Sequence, residues 1–283
     1  MSRRLISRFA APLARSLTQL PRVALPGPQL RQASGVVNAE TIGNVMRVDK
    51  DSVSIMFGRE RQLLIHVINT AKEGDAESVM AAMDSFWSSK FGSDGTDSWT
   101  LRADVLEKAL TDKKPGKCLE IGTYCGYSAL RIARHIPEGG LLVSIELDPL
   151  FAAIATKIVE HAGLSHKVKI LMGTVEAKAD RISDYLLGVQ NTTSGLPSKQ
   201  VDFILCDHSK SMFVPDLKLL ESFGVVGPGT MVVGDTTVYP GDQAADVSDL
   251  LTYFATNPNY RVQSHQGTQQ TFGITVSEWV HLP

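Results

Sequence analysis

The sequence predicts an α/β fold: a mainly parallel seven-stranded sheet in a doubly wound domain, with helices on both faces and extra helices at its amino side. Past Gly116, short apolar runs alternate with longer amphipathic stretches, the signature of strands joined by crossover helices. The stretch before Gly116 is helix-periodic instead, and no internal repeat divides the 283 residues. With 43% apolar and 20% charged residues the chain can bury a core, which excludes global disorder and a fibrous repeat.

From Arg59 to about Thr111 apolar residues recur on one helical face, with Leu63, Leu64, Val67 and Ile68 first. Val79, Met80, Met83 and Phe86 follow, then Leu101, Val105, Leu106 and Ala109. The expected parallel strands are Cys118 to Ile121, Leu141 to Leu147, Val168 to Met172, Val201 to Cys206 and Thr230 to Val233. Tyr127 to His135, Leu150 to His161, Val175 to Leu187 and Val214 to Phe223 supply the crossover helices. Tyr260 to His265 and Thr271 to Trp279 read as a hairpin closing one edge, and Asn191 to Lys199 as a loop.

The amino end differs in kind. Residues 1–39 hold six arginines and no acid before Glu40, so the remainder carries 22 basic against 30 acidic residues. Leu5, Ile6, Phe9, Leu13, Leu17 and Leu20 lie at helix-like spacing beside those arginines, the pattern of a mitochondrial transit segment over residues 1–40. The alternative is a basic arm attracted to any acidic surface; otherwise the protein is expected in the cytoplasm. Arg8 and Arg15 interrupt the continuous apolar core that a secretory signal needs, and no apolar run is long enough to span a membrane. Cys118, Cys125 and Cys206 have no metal-ligand spacing, which argues against a disulfide framework or structural zinc.

Ligands of open α/β sheets bind beyond the carboxyl ends of the strands, where strand order reverses. The first strand leads there into Glu120-Ile121-Gly122-Thr123-Tyr124-Cys125-Gly126-Tyr127-Ser128. Gly122 would let the backbone approach a ligand, and Gly126 would let the next helix start close to the strand. The spacing is not that of a pyrophosphate cradle, so a nicotinamide dehydrogenase is disfavoured. Glu146, ending the second strand, can accept hydrogen bonds from ribose hydroxyls, and the negative Glu120 favours a sulfonium over a phosphate. Two glycines also mark any strand-to-helix turn, so the carboxylates carry the argument.

Asp207 and Asp235 end the fourth and fifth strands on the same rim, where two hard oxygen ligands could hold Mg²⁺ with Thr236 adding a hydroxyl. Lys210 is a candidate proton acceptor, because an ammonium partly desolvated beside a bound cation can have its pKa lowered enough for the neutral amine to act as a base. Taken singly, such aspartates often cap turns and such lysines are solvated; their convergence opposite an adenosine site favours function. His208 could touch adenine or sit in the wall. Cys125 and Cys206 lack a paired base and read as buried hydrophobes.

These residues resemble the catechol O-methyltransferase family, most clearly in Leu119 to Ala129, in Asp207-His208-Ser209-Lys210 followed by Pro215-Asp216, and in Asp235 with Pro240-Gly241. The match runs from about Gly58 to the carboxyl end, residues 58–283. The resemblance implies a Rossmann-like methyltransferase fold using S-adenosylmethionine and Mg²⁺ to methylate a catechol hydroxyl. It places Glu120, Gly122, Tyr124 and Ser128 at the methionine end of the cofactor, Glu146 on the ribose and His208 near adenine. Asp207 and Asp235 would hold Mg²⁺, Lys210 would be the base, and Pro240 would wall the catechol.

Three departures cluster around metal and acceptor. Thr236 stands where the family has asparagine, Ser209 where it has tryptophan, and Gln270 where a glutamate holds the second hydroxyl. The segment that covers the cofactor is unrecognisable in Lys90 to Trp99, where Phe91 or Trp99 could replace a lost aromatic. The rivals are therefore an O-methyltransferase for another phenol or diol, and a catalytically impaired cofactor-binding protein. The acidic domain would repel phosphates, so the expected partner is a small molecule, not nucleic acid, with no stable membrane insertion and a monomeric state.

Overall fold

Among the described residues three helices precede the sheet: α1 (Lys50–Thr70), α2 (Ala76–Phe91) and α3 (Thr96–Lys113). The computed structural model describes residues 50–91, 96–189, 198–237, 244–266 and 273–280. Residues Ser54–Pro283 cluster into one compact unit. The amino-terminal arginines, most of the Asn191 to Lys199 loop, Pro240 and Gln270 lie outside the described residues.

The alternating part runs β1 (Lys117–Ile121), α4 (Tyr127–His135), β2 (Leu141–Glu146), α5 (Pro149–His161), β3 (Val168–Met172), α6 (Val175–Leu187) and β4 (Phe203–Cys206). It continues through a 3₁₀ turn (Lys210–Met212), α7 (Phe213–Ser222), β5 (Met231–Asp235), α8 (Ala244–Thr256), β6 (Tyr260–Gln266) and β7 (Gly273–Trp279). Strand order is β3-β2-β1-β4-β5-β7-β6, with β7 the strand antiparallel to both neighbours. Order reverses between β1 and β4, so the strand ends at Ile121, Glu146, Cys206 and Asp235 share one rim.

Successive residues of a strand face opposite sides, and the two sides of this sheet are separate cores. Cys118, Leu142 and Phe203 pack with helices α1 to α5; Leu119, Val143 and Ile204 pack with α6, α7 and α8. Every residue of β1 and β2 is buried, as a sheet covered on both faces requires. Asp148 starts α5 by accepting from the Leu150 and Phe151 amides, and Thr174 starts α6 by accepting from Ala177.

Two differences from the sequence reading have physical causes. The fifth strand extends to Asp235 because Gly234 and Asp235 pair with Thr275 and Ile274 of β7, partners 41 and 39 residues away in sequence. The reading also omitted α8, although buried Val247, Leu250 and Phe254 lie at helical spacing.

Candidate active site

The turn after β1 is locked to its neighbours before any ligand is considered. The Gly122 amide donates to the Ile145 carbonyl at 2.9 Å, and the Asp207 amide donates to the Ile121 carbonyl at 2.8 Å. Gly122 has a φ of +94°, and a Cβ there would lie 2.2 Å from the Asp207 carbonyl oxygen. The space freed by this glycine is therefore filled by the Asp207 backbone, while Gly122 itself lines the cleft. Gly126, with φ +89°, lets α4 start against Ala155 of α5, 3.3 Å from where a Cβ would be.

Glu146 is held by the backbone. One oxygen accepts from the Thr123 and Tyr124 amides at 3.2 and 2.7 Å, and the other accepts from Asp148 at 2.8 Å. A carboxylate has about four lone-pair sites, so Oε1 retains one for a ligand hydroxyl. These bonds tie β2 to the β1 turn, a role that sequence reasoning did not give Glu146.

Glu120 is fully buried and lies outside the residues lining the cleft. Ser144 donates to its Oε2 and in turn pairs with Thr123. Burial pushes the carboxyl up to about 7; hydrogen bonding from Ser128 and Ser144 lowers it, and nearby Glu146 raises it further. Because Oε1 has no aligned donor, Ser128 is the looser contact and Ser144 the firm one. The expectation that Glu120 lines the methionine end as a full negative charge is corrected: it stands behind the wall and is only partly ionised at neutral pH.

Tyr124 and Ser128 line the cleft as expected. The Tyr124 hydroxyl donates to Glu60 Oε1 of α1 at 2.6 Å, while its ring stacks on Trp87 at 6.2 Å and meets the edge of Phe151 at 4.9 Å. Burial and Glu60 both raise the phenol, which stays protonated. Glu60 and Trp87 escaped the sequence reading, since neither lies near a strand end. So did Arg131, which lines the cleft while donating to Glu107 of α3 and to the Tyr127 hydroxyl, each at 2.8 Å.

On the opposite lip, Asp207, His208, Ser209 and Asp235 line the same cleft as Glu146, a cavity of about 450 Å³. Asp235 Oδ1 accepts from the Thr237 amide at 2.9 Å, and its Oδ2 lies 3.6 Å from Lys210 Nζ. Lys210 is buried, with Nζ 4.9 Å from the Phe213 ring; it does not line the cleft but reaches it through Asp235. Thr236 is also absent from the wall, and its amide donates to the Gly273 carbonyl at 3.0 Å. Pro240 and Gln270 lie outside the described residues, as do the side chains of Phe91 and Trp99. Cys125 and Cys206 are buried; burial raises both thiols, Cys206 to about 12, which removes them as nucleophiles.

Among the described residues no group of three or more His, Cys, Asp and Glu side chains gathers as a metal cage. Asp207 and Asp235 both line the cleft and are hard oxygen donors of the type that holds Mg²⁺, which one or two carboxylates commonly bind with water and substrate completing the octahedron. Thr236 gains no support as a third ligand from its position.

The family described as O-methyltransferase matches residues 104–257. A bovine catechol O-methyltransferase is 33% identical over 207 residues, covering 71% of this chain and 68% of the relative. A probable O-methyltransferase of Mycobacterium tuberculosis is 34% identical over 211 residues, covering 74% and 82%. In structure, an O-methyltransferase of Bacillus cereus in complex with SAH superposes with a TM-score of 0.53 at 20% identity, covering 63% of this chain and 80% of that one.

Proposed function

The chain belongs to the O-methyltransferase family, and from that premise we propose that it transfers the methyl of S-adenosylmethionine to a hydroxyl of a catechol with the assistance of Mg²⁺. One observation carries the proposal: Glu146, suited to a ribose, and the Asp207/Asp235 pair, suited to a cation, line one cleft. The bovine relative's name supports the catechol acceptor, and the SAH complex of the Bacillus cereus protein supports the cofactor.

In this reading Glu146 takes the ribose with the acceptor site left on Oε1, already oriented by three amides. Tyr124, fixed by Glu60 and flanked by Trp87 and Phe151, walls the methionine end and excludes water there. The cofactor supplies an electrophilic methyl on a positive sulfur. Bound Mg²⁺ would be held by Asp207 and Asp235 and would favour ionisation of an acceptor hydroxyl. Methyl transfer would form an oxygen–carbon bond as the sulfur–carbon bond breaks, and the proton lost by the hydroxyl would pass by way of Asp235, which lines the cleft, to the neutral amine of Lys210 buried behind it.

The test is calorimetry with S-adenosylmethionine followed by methyl transfer to catechol with and without Mg²⁺. Binding with Mg²⁺-stimulated product supports the proposal; full activity in a chelator refutes its metal step. Exposed Ser209 in the cleft wall, where the catechol family has tryptophan, favours a second reading in which the acceptor is another phenol or diol. A substrate panel separates the two. We also propose that residues 1–40 direct mitochondrial import, on the strength of their arginine-rich, acid-free composition.

A further inference from the structure

Among the described residues four carboxylates line the cleft, and the proposed reaction uses three of them: Glu146, Asp207 and Asp235. The fourth, Asp216, stands in the first turn of α7, where the helix dipole favours a negative charge. It is buried, with its side chain 10% exposed, and His208 Nε2 lies 3.1 Å from its Oδ2. Neither ring nitrogen of His208 has an aligned hydrogen bond and both are shielded from the cleft, so the ring offers it carbon atoms. Asp216 Oδ1 is left as an acceptor.

The position of Asp216 says which part of a ligand it meets. With the ribose at Glu146 and the methyl end toward Asp235, the base must occupy the remaining wing. Leu147, Val175 and Met212 line the same cavity, and α6 and α7, which carry Val175 and Asp216, pack together. Thr174, beside Val175 in that wall, has its hydroxyl engaged by the Ala177 amide. An adenine ring carries one exocyclic donor, its amine, and a buried carboxylate with a spare lone pair is its natural complement.

We propose that Asp216 accepts a hydrogen bond from the exocyclic amine of the cofactor's adenine and thereby selects an adenosine over its deaminated counterpart. The inference rests on the cofactor reading and not on the metal or the acceptor. An inosine presents a carbonyl at that position, which the carboxylate repels.

The experiment is titration calorimetry of the full chain with S-adenosylhomocysteine and S-inosylhomocysteine. For the unaltered protein the adenosyl ligand should bind about 10- to 100-fold more tightly, the range of a hydrogen bond to a charged group. Asp216→Asn, nearly isosteric, offers both a donor and an acceptor and should bring the ratio to within about threefold. Asp216→Ala should lose about tenfold or more for the adenosyl ligand and little for the inosyl one. Near-ultraviolet circular dichroism on both variants checks that they fold. If Asp216 serves only to hold His208, both ligands weaken together and the ratio persists, which overturns the inference; so does an unaltered protein that binds the two equally. Absence of any S-adenosylhomocysteine binding would instead overturn the cofactor reading, and this inference with it.

Discussion

Gly122→Ala should destabilise the domain by two separable effects. An L-residue forced to a φ of +94° loses about 1–2 kcal/mol. The new methyl would also lie 2.2 Å from the Asp207 carbonyl oxygen and 2.7 Å from its carbon, backbone atoms held by the Asp207 amide bond to Ile121. Overpacking of this kind costs about 1–3 kcal/mol, so the total is about 2–5 kcal/mol. Gly139→Ala isolates the first effect, because Gly139 has φ +80° with nothing within 4 Å of a Cβ. Urea unfolding of both variants, extrapolated linearly, measures the difference. At about 2–4 °C per kcal/mol for a domain of this size, Gly122→Ala should melt roughly 4–20 °C below the parent. Equal losses in the two variants, within about 0.5 kcal/mol, would refute the claim that this turn abuts the β4 terminus.

Burial holds the Glu120 carboxyl at about 7 against a reference value of 4.5, so the folded state binds more protons between those values. Its stabilisation is full below about pH 4.5 and is lost as pH rises through 7, on the order of 3 kcal/mol in all. Glu120→Gln should remove this slope, read by urea unfolding at pH 5 and 8; an unchanged slope counts against a buried, proton-holding carboxyl. Asp207→Ala and Asp235→Ala should abolish Mg²⁺-stimulated turnover while cofactor affinity by calorimetry changes little. Lys210→Ala should slow turnover by about 10²- to 10⁴-fold, the range of general-base catalysis, with a far smaller effect on cofactor binding. Residues 1–40 fused to a reporter should direct it to mitochondria, and a diffuse cytosolic signal would exclude import.

The strands and most helices were legible because their signals are local: a run of buried apolar residues, a helical period, a glycine where φ must be positive. The shared rim was legible because parallel strands bring their ends together whatever the side chains, so Glu146, Asp207 and Asp235 could be placed by topology alone. The support behind the site was not. Glu60 meets Tyr124 across 64 residues and Glu107 meets Arg131 across 24, and nothing in the spacing of either pair marks it. The close approach of Gly122 to the Asp207 backbone was hidden for the same reason, since that atom belongs to the turn after β4, 85 residues on in sequence.

The preference for a sulfonium expected from the first turn would have a different origin. Glu120 is only partly charged at neutral pH and hidden from the cleft, so its direct attraction for a positive ligand is small. Among the described residues Glu146, Asp207, Asp216 and Asp235 line the cavity, whereas Arg131 and Lys210 contribute positive charges already engaged by Glu107 and Asp235. A ligand with phosphates would meet net repulsion there, while a sulfonium, an ammonium or a divalent cation would be drawn in. This bias belongs to the rim as a whole, so neutralising one carboxylate should weaken it without reversing it; the specific losses expected for Asp207 and Asp235 variants must come from coordination and not from the field.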